Sequence, residues 1–339
     1  MYVPCCFRGV QLGLRKYIAQ RIIYMIILLW LALTVNFIIF NLMPGDPVLQ
    51  YIGKLAGRID EARLQEIRAH YGLDKPLHER YLLYIQHLLT WNFGRSYYSG
   101  SVSKIMTERL TRTLELMGLS TVITIILGIL LGVVAAYKRG KATDTVLVVG
   151  SLITYSVPIF WLGWLIKYFF AYTLHWFPAG HIYPDSWVGN WPKDIFTYIA
   201  GRLYHLALPT LTLVLFSVGG WILLTRACIL ENITEDYVIT ARAKGAKERT
   251  VLLKHVLKNA SLPIITSVAL SFAFMIGGAI ITETLFSYEG MGLLTWNAIQ
   301  QRDIPVLSAV FYVSTLAVII ANFVADLLYG VIDPRIKYG

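Results

Sequence analysis

Hydrophobic residues in this chain gather into long runs separated by polar connections, and the run lengths set the first expectation. Runs near 20–42, 114–137, 145–175, 206–230, 263–285 and 306–330 are each long enough to cross a hydrocarbon core of about 30 Å, which takes about 20 helical residues. An all-α integral membrane protein with six transmembrane helices is expected. The first run follows Arg15, Lys16 and Arg21, as a signal peptide would. It exceeds an ordinary signal core and lacks a small-x-small cleavage site before Pro44, so it reads as a retained anchor.

The long polar stretch after the first run is itself patterned. IDEARLQEIRAHYGL sets Ile59, Ala62, Leu64 and Ile67 among charges, Gly72 and Pro76 punctuate, and LHERYLLYIQHLLTW resumes helical spacing. A small helical segment outside the hydrocarbon is expected between helices 1 and 2. The chain then divides into an N-terminal part, 1–112, with the anchor and this extracytoplasmic segment, and a five-helix core, 113–339, carrying a polar loop at about 231–262.

Composition agrees with a membrane protein. Hydrophobic residues make up 56% and charged residues 15% of the 339, with mean hydropathy +0.59, where a soluble domain carries about 25% charged residues. The net charge of +10 would point to nucleic acid in a soluble chain. Here the basic residues flank apolar runs, where they set orientation and touch anionic lipid, so no nucleic acid is implied. The N-terminal tail, the YKRGK loop (Lys138, Arg139, Lys141), the 231–262 loop and the DPRIKYG tail are basic, whereas 176–204 and 286–305 hold few positive charges. Both termini and the 231–262 loop are therefore expected in the cytoplasm and 43–112 outside, since long loops translocate regardless of charge. The Trp-, Tyr- and Pro-rich connection HWFPAGHIYPDSWVGNWPKD reads as an outer interfacial belt.

Candidate chemistry is mostly excluded. No G-x-x-x-x-G-K-[ST], H-E-x-x-H, G-x-S-x-G or C-x-x-C is present, so neither nucleotide binding by a phosphate loop nor hydrolysis by these routes is supported. The chain reads as non-enzymatic, without a metal site. Cys5, Cys6 and Cys228 form no disulfide framework. Intramembrane charges, the mark of ion-coupled carriers, are scarce. Lys167 is expected to snorkel outward and Asp326 to lie near the end of the last run. Glu283 falls 20 residues after Pro263, about 30 Å along a helix, near the outer mouth of the fifth run. There it is either a structural partner to an outer loop or a gate or substrate contact. The fifth run also holds Gly277 and Gly278 among small residues, which suits close helix packing or a solute path. The outer loop beyond it contains Gly290 and Gly292, which permit a re-entrant turn.

The stretch EDYVITARAKGAKERTVLLKHVLKNASLP, 235–263, is the polar exception, with seven Lys, Arg or His side chains. Asn232 and Glu235 resemble a capping box that starts a short helix with Ile233, Tyr237, Val238 and Ala241 on its apolar side. Gly245 is expected at the C′ position, with Arg242 and Lys244 in the last turn. A second helix is expected from about Lys247 to Asn259, ending before Pro263. The small residues Thr240, Ala241, Ala243 and Gly245 would let a partner's groove approach the backbone, making this a docking knob.

The string DYVITARAKG…HVLKNASLP resembles the cytoplasmic coupling loop of ABC importer permeases of the dipeptide/oligopeptide/nickel transport family. PGDP (Pro44 to Pro47), YGLDKPL (Tyr71 to Leu77), ERLTRTLEL (Glu108 to Leu116), PIFWLG (Pro158 to Gly163), GGAIITETLFSYEGMGLL (Gly277 to Leu294), QRDIPV (Gln301 to Val306) and DLLYGVIDPRIK (Asp326 to Lys337) extend the resemblance along the chain. Two departures are Tyr288-Glu289-Gly290, where an aromatic-Pro-Gly run is usual, and Lys258, where Arg is common. The resemblance implies a type I importer permease fold in the cell membrane. It implies four kinds of partner: a second homologous permease subunit, two cytoplasmic ATPase subunits that use ATP and Mg, an extracytoplasmic solute-binding protein and membrane lipid. No cofactor would be bound by this chain. It further implies ATPase coupling through Asp236, Tyr237, Thr240, Ala241, Arg242, Ala243, Lys244 and Gly245. A pathway or gate role falls to Gly277, Gly278, Glu283, Gly290 and Gly292. The solute implied is a di- or oligopeptide, with nickel or an oligosaccharide as alternatives. An ion-coupled carrier is the rival from another class; it would need a midplane carboxylate or an inverted repeat, and neither is visible.

Overall fold

A computed structural model describes residues 14–42, 75–275 and 278–332. Cys5, Cys6, the PGDP stretch, the helix expected over 59–72, Gly277 and the DPRIKYG tail lie outside the described residues.

The fold is helical, with one two-residue hairpin, β1 (Arg95–Ser96) against β2 (Gly100–Ser101). The helices are α1 (Leu14–Leu42), α2 (Leu77–Leu89), α3 (Val102–Tyr137), α4 (Ala142–Ser156) and α5 (Ile159–Lys167), which runs on as a π-helical turn to Thr173. Then come α6 (Ile195–Asn232), α7 (Asp236–Ala243) and α8 (Glu248–Thr250), which leads through a π-helical segment, Val251–Val256, into α9 (Leu257–Phe274). The last described helices are α10 (Ile280–Leu285), α11 (Met291–Gln301) and α12 (Ile304–Ile332).

Among the described residues four helices are long and apolar enough to span a membrane: Ile18–Leu42, Val102–Tyr137, Ile195–Asn232 and Ile304–Val324. The expected run 145–175 is not straight, because Ala142–Ser156 and Ile159–Thr173 meet at 100° and provide a fifth crossing only if taken together. Pro158 causes the bend: it forces Val157 out of the helical region, to φ −78 and ψ 129. The expected run 263–285 also divides. α9 passes through Pro263, contrary to the expected stop there, and ends at Phe274; Gly278 then turns with φ +73. Pro263 forfeits one backbone hydrogen bond and crowds the Asn259 carbonyl, a cost that membrane helices meet through neighbouring helices and local π adjustments.

α6 is the axis of the bundle, and glycines bring its neighbours close. A Cβ on Gly128 or Gly132 of α3 would lie 2.2 Å from Trp221 Cβ or 2.6 Å from Thr225 Cβ, so these two helices run parallel in near contact. A Cβ on Gly219 of α6 would lie 2.6 Å from the Ser151 carbonyl, which brings α4 against another face. α6 starts well before the apolar run at 206 because Asp194 caps it, its carboxylate accepting from the Thr197 N–H at 2.8 Å. The aromatic 176–194 connection is partly internal. Trp187 is buried, stacks on Tyr198 at 5.8 Å and covers Gly201, while Trp176 and Trp191 stay exposed.

Candidate functional site

The polar cassette forms a knob at the end of α6. Asn232 is not its cap: α6 continues through Asn232, whose side-chain N–H donates to the Cys228 carbonyl at 2.9 Å. The N-cap of α7 is Glu235, which makes no side-chain capping bond. The expected capping box therefore fails, because Asn232 is still helical and its amide turns inward along α6. The C-terminal expectation holds. Gly245 has φ +78, its N–H donates to the Arg242 carbonyl at 2.9 Å, and the Ala246 N–H donates to the Ala241 carbonyl at 3.3 Å. These are the paired bonds of a Schellman motif.

The two faces of α7 differ. Val238 and Ala241 are buried with Ala136 of α3, Cys228 and Ile229 of α6, and Val251, Leu252 and Val256, while Ile233 and Tyr237 pack alongside. The Tyr237 hydroxyl donates to the Asn232 backbone and side-chain oxygens at 3.3 Å. Ala241 thus serves the fold of its own chain. Asp236, Thr240, Arg242, Ala243, Lys244 and Gly245 are exposed. Sequence reading missed Ile239, which is 58% exposed on this polar face. It also missed Glu248, which pairs with Arg242 through Nε to Oε1 at 2.8 Å and Nη2 to Oε2 at 3.2 Å. Ile239 lies three residues past Asp236 and so shares its exposed side, about 100° round the helix from the buried Val238, and was findable. The Arg242–Glu248 pair crosses a turn that no helical period connects.

The second cluster surrounds Glu283. Its side chain is fully buried and its carboxylate accepts four hydrogen bonds: Thr113 Oγ1 at 2.9 Å and the Ala279 N–H at 3.3 Å to Oε1, Gly292 N–H at 2.7 Å and Leu293 N–H at 3.1 Å to Oε2. Thr113 Oγ1 also accepts from the Met291 N–H at 2.7 Å. Glu283 and Thr113 together thus satisfy the first donors of α11, a capping role taken by distant residues because Gly290, the N-cap, has no side chain. A Cβ on Gly290 would lie 2.4 Å from both Glu283 Oε2 and Thr113 Oγ1, one on Gly292 2.8 Å from Ile280 N, and one on Gly278 2.9 Å from Gly292 N. Glu283, Gly278, Gly290 and Gly292 are therefore one unit. Of the two roles open for Glu283, the geometry is that of a partner to the loop.

Around this node the loop is fastened at three further points. Glu289 Oε2 accepts from Arg109 and Arg112 of α3, both at 2.7 Å, which gives the unusual residue of the SYEGMG stretch a specific partner set. The buried Tyr288 donates its hydroxyl to the Arg112 carbonyl at 2.8 Å. Lys167 does not snorkel: its Nζ donates to the Leu285 carbonyl at 2.7 Å and lies 5.5 Å from the Trp164 ring centre. A carbonyl at the end of α10 was the nearer partner. Arg202 pairs with Glu115 and donates to the Ile182 carbonyl at 2.7 Å, tying the aromatic connection to α3 and α6. Among the described residues no group of three or more His, Cys, Asp or Glu is placed to hold a metal ion.

Known proteins place this architecture. Residues 128–338 match the family model described as binding-protein-dependent transport system inner membrane component, and residues 14–117 match the model for the N-terminal part of such components. A probable peptide ABC transporter permease protein of Sinorhizobium fredii is 36% identical over 324 residues, covering 95% of this chain and 99% of that protein. An oligopeptide transport system permease protein of Bacillus subtilis is 33% identical, also with 95% and 99% covered. A glutathione transport system permease protein of Salmonella choleraesuis is 34% identical over the same shares. With the family model matched over 128–338, the chain belongs to the binding-protein-dependent transport system inner membrane components, and it is an inner-membrane ABC permease subunit, separate from the ATPase that drives such systems.

Proposed function

We propose that this permease conducts di- or oligopeptides inward and that α7 is its contact with a pair of cytoplasmic ATPase subunits. The observation that carries the reading is the prefolded knob. Its inner face is packed on α3, α6 and the π-helical segment, and its outer face, with Asp236, Ile239, Thr240, Ala243 and Lys244, stays exposed. A push on α7 is therefore delivered to three elements at once. The peptide assignment rests on relatives named for peptides, oligopeptides and glutathione, itself a short peptide.

In this reading a second homologous permease completes the pathway, an extracytoplasmic binding protein delivers the peptide, and ATP and Mg stay with the ATPase subunits. Both termini and 231–262 face the cytoplasm, 43–112 faces outward, and the N-terminal part, 1–112, stands beside the 113–339 core. Gly277, Gly278, Glu283, Gly290 and Gly292 shape the outer mouth, Glu283 by fixing the start of α11. Copurification from the native membrane tests the partners: the complex should contain ATPase subunits, and their absence overturns the reading. Cysteines introduced at Ser99 and Lys247 should be labelled from opposite sides of the membrane.

A further inference from the structure

The contact between α4 and α6 is close at Gly219, which faces Ser151 and Thr154, and carries charge at one end. There Arg226 Nε donates to Asp144 Oδ1 at 2.7 Å and its Nη2 donates to Oδ2 at 2.9 Å, a bidentate pair with the Asp144 side chain 8% exposed. Asp144 Oδ2 also accepts from the Gly140 N–H at 3.1 Å, which ties the turn between α3 and α4 into the same node. From this pair to the Ser151–Gly219 contact is seven residues on each helix, in opposite senses. That is about two helical turns, so the helices are antiparallel and their register is pinned at both points.

Stability alone does not call for the pair. Desolvating two charges offsets most of their attraction, and well-packed apolar residues commonly hold such a contact as firmly. What a bidentate pair adds is direction and register, because the guanidinium fork fits a carboxylate in one plane. Its location gives that register a use. Arg226 lies one turn before Ile229, which packs with Val238 and Ala241 of the knob; Asp144 begins the helix that ends at the 100° elbow. α4 itself contributes no residue to the cluster around the knob.

We propose that Asp144 and Arg226 are positioning residues that lock α4 to the inner end of α6, so that displacement of α7 is carried to the elbow between α4 and α5. The inference rests on the transporter reading above. Without the clip the knob still moves the inner ends of α3 and α6, but the start of α4, held to α6 only at Ser151–Gly219 two turns away, need not follow.

The test uses the complete complex in proteoliposomes, with spin labels at Tyr155, which is 69% exposed beside the elbow, and Ile126, 53% exposed on α3. Trapping with ATP and vanadate should shift the label-to-label distance in the wild type. In D144L/R226M, an apolar pair that should leave the melting temperature close to wild type, the shift should vanish while ATP hydrolysis continues. Uptake of labelled dialanine should fall about tenfold, within the range that coupling free energies between sites span. The charge swap D144R/R226D should restore the distance shift. An apolar pair that shifts like wild type overturns the proposal, as does a charge swap that melts normally and fails to restore the shift. A wild-type complex without ATP hydrolysis overturns the transporter reading instead, before any variant is made.

Discussion

Glycine serves opposite purposes in the two regions built around it. At Gly245 the backbone demands φ +78 while no atom of the chain lies within 4 Å of a Cβ site. At Gly290 the backbone is extended, with φ −101 and ψ −165, which any residue can adopt, and the constraint is room: a Cβ would strike Glu283 and Thr113. One glycine answers to conformation on an open surface, the other to volume in a closed node. The knob is thus a surface shaped in advance for contact, and the Glu283 node is an internal joint. Substitutions should separate the two by magnitude and by what they disturb.

The largest effect belongs to the joint. Glu283→Ala leaves three N–H groups and the Thr113 hydroxyl without their shared acceptor, and each buried orphan costs about 1–3 kcal/mol. The detergent-solubilised permease should melt at a markedly lower temperature, and α11 should lose hydrogen-exchange protection at its first turn. Normal protection there would remove the capping account. Gly290→Ala comes next, an overpacking of about 1–3 kcal/mol. Thr113→Ser should not relieve it, because the atom the new Cβ strikes on Thr113 is the hydroxyl oxygen that serine keeps. A Gly290→Ala protein as stable as wild type would mean the loop yields, and the contrast with Gly245 would collapse.

Gly245→Val should cost about 1–2 kcal/mol for left-handed backbone, and Gly245→Asn much less, since Asn tolerates that region. Here the larger disturbance should be functional: loss of ATPase binding in pull-down out of proportion to the modest fall in melting temperature. Equal loss with Asn and Val would mean that the bare backbone at 245, and not its φ, meets the partner.

The sequence made the knob more legible than the joint for a physical reason. Arg242, Lys244 and Gly245 fall within four residues and obey helix-end rules, so the C′ turn can be read from neighbours alone. Val238 and Ala241 likewise follow the helical period. The joint assembles Thr113, Glu283 and Gly290–Gly292 across 170 or more residues, and no local rule links a threonine in one long helix to the start of another. The six apolar runs were visible as composition, yet breaks at Val157 and at Gly278 decide where helices end. Pro158 announced the first. The second was hidden because the run was expected to begin at Pro263, which instead lies inside α9, and no proline marks the end near Gly278.

Asp303, which ties the start of α12 to Ser96 and Tyr97, offers a pH test of smaller reach. Burial holds its carboxyl above the ordinary value of 3.8, although Ser96 Oγ donates to it at 2.5 Å. Raised in the folded state, the group favours folding while protonated: its contribution is fully present below 3.8 and is lost as pH rises through the raised value. Asp303→Asn should flatten that acid-side slope of melting temperature against pH. An unchanged slope would show that other groups set it.

The smallest effect belongs to the exposed ion pair of the knob. Arg242 and Glu248 are joined by two hydrogen bonds, yet their side chains are 42% and 59% exposed, so water and salt screen them. Such pairs contribute about 0.2–1 kcal/mol. A double-mutant cycle of Arg242→Ala and Glu248→Ala should give a coupling energy in that range that fades as salt approaches about 1 M, where the screening length is near 3 Å. Functionally the two singles should differ. Arg242→Ala removes a charge from the outward face, whereas Glu248→Ala releases Arg242 to any acidic group on a docked partner. ATPase binding should therefore weaken slightly in the first and hold or strengthen in the second. If both weaken it equally, the pair acts as a brace for the turn after Gly245, and the knob would share the internal logic of the joint instead of standing apart from it.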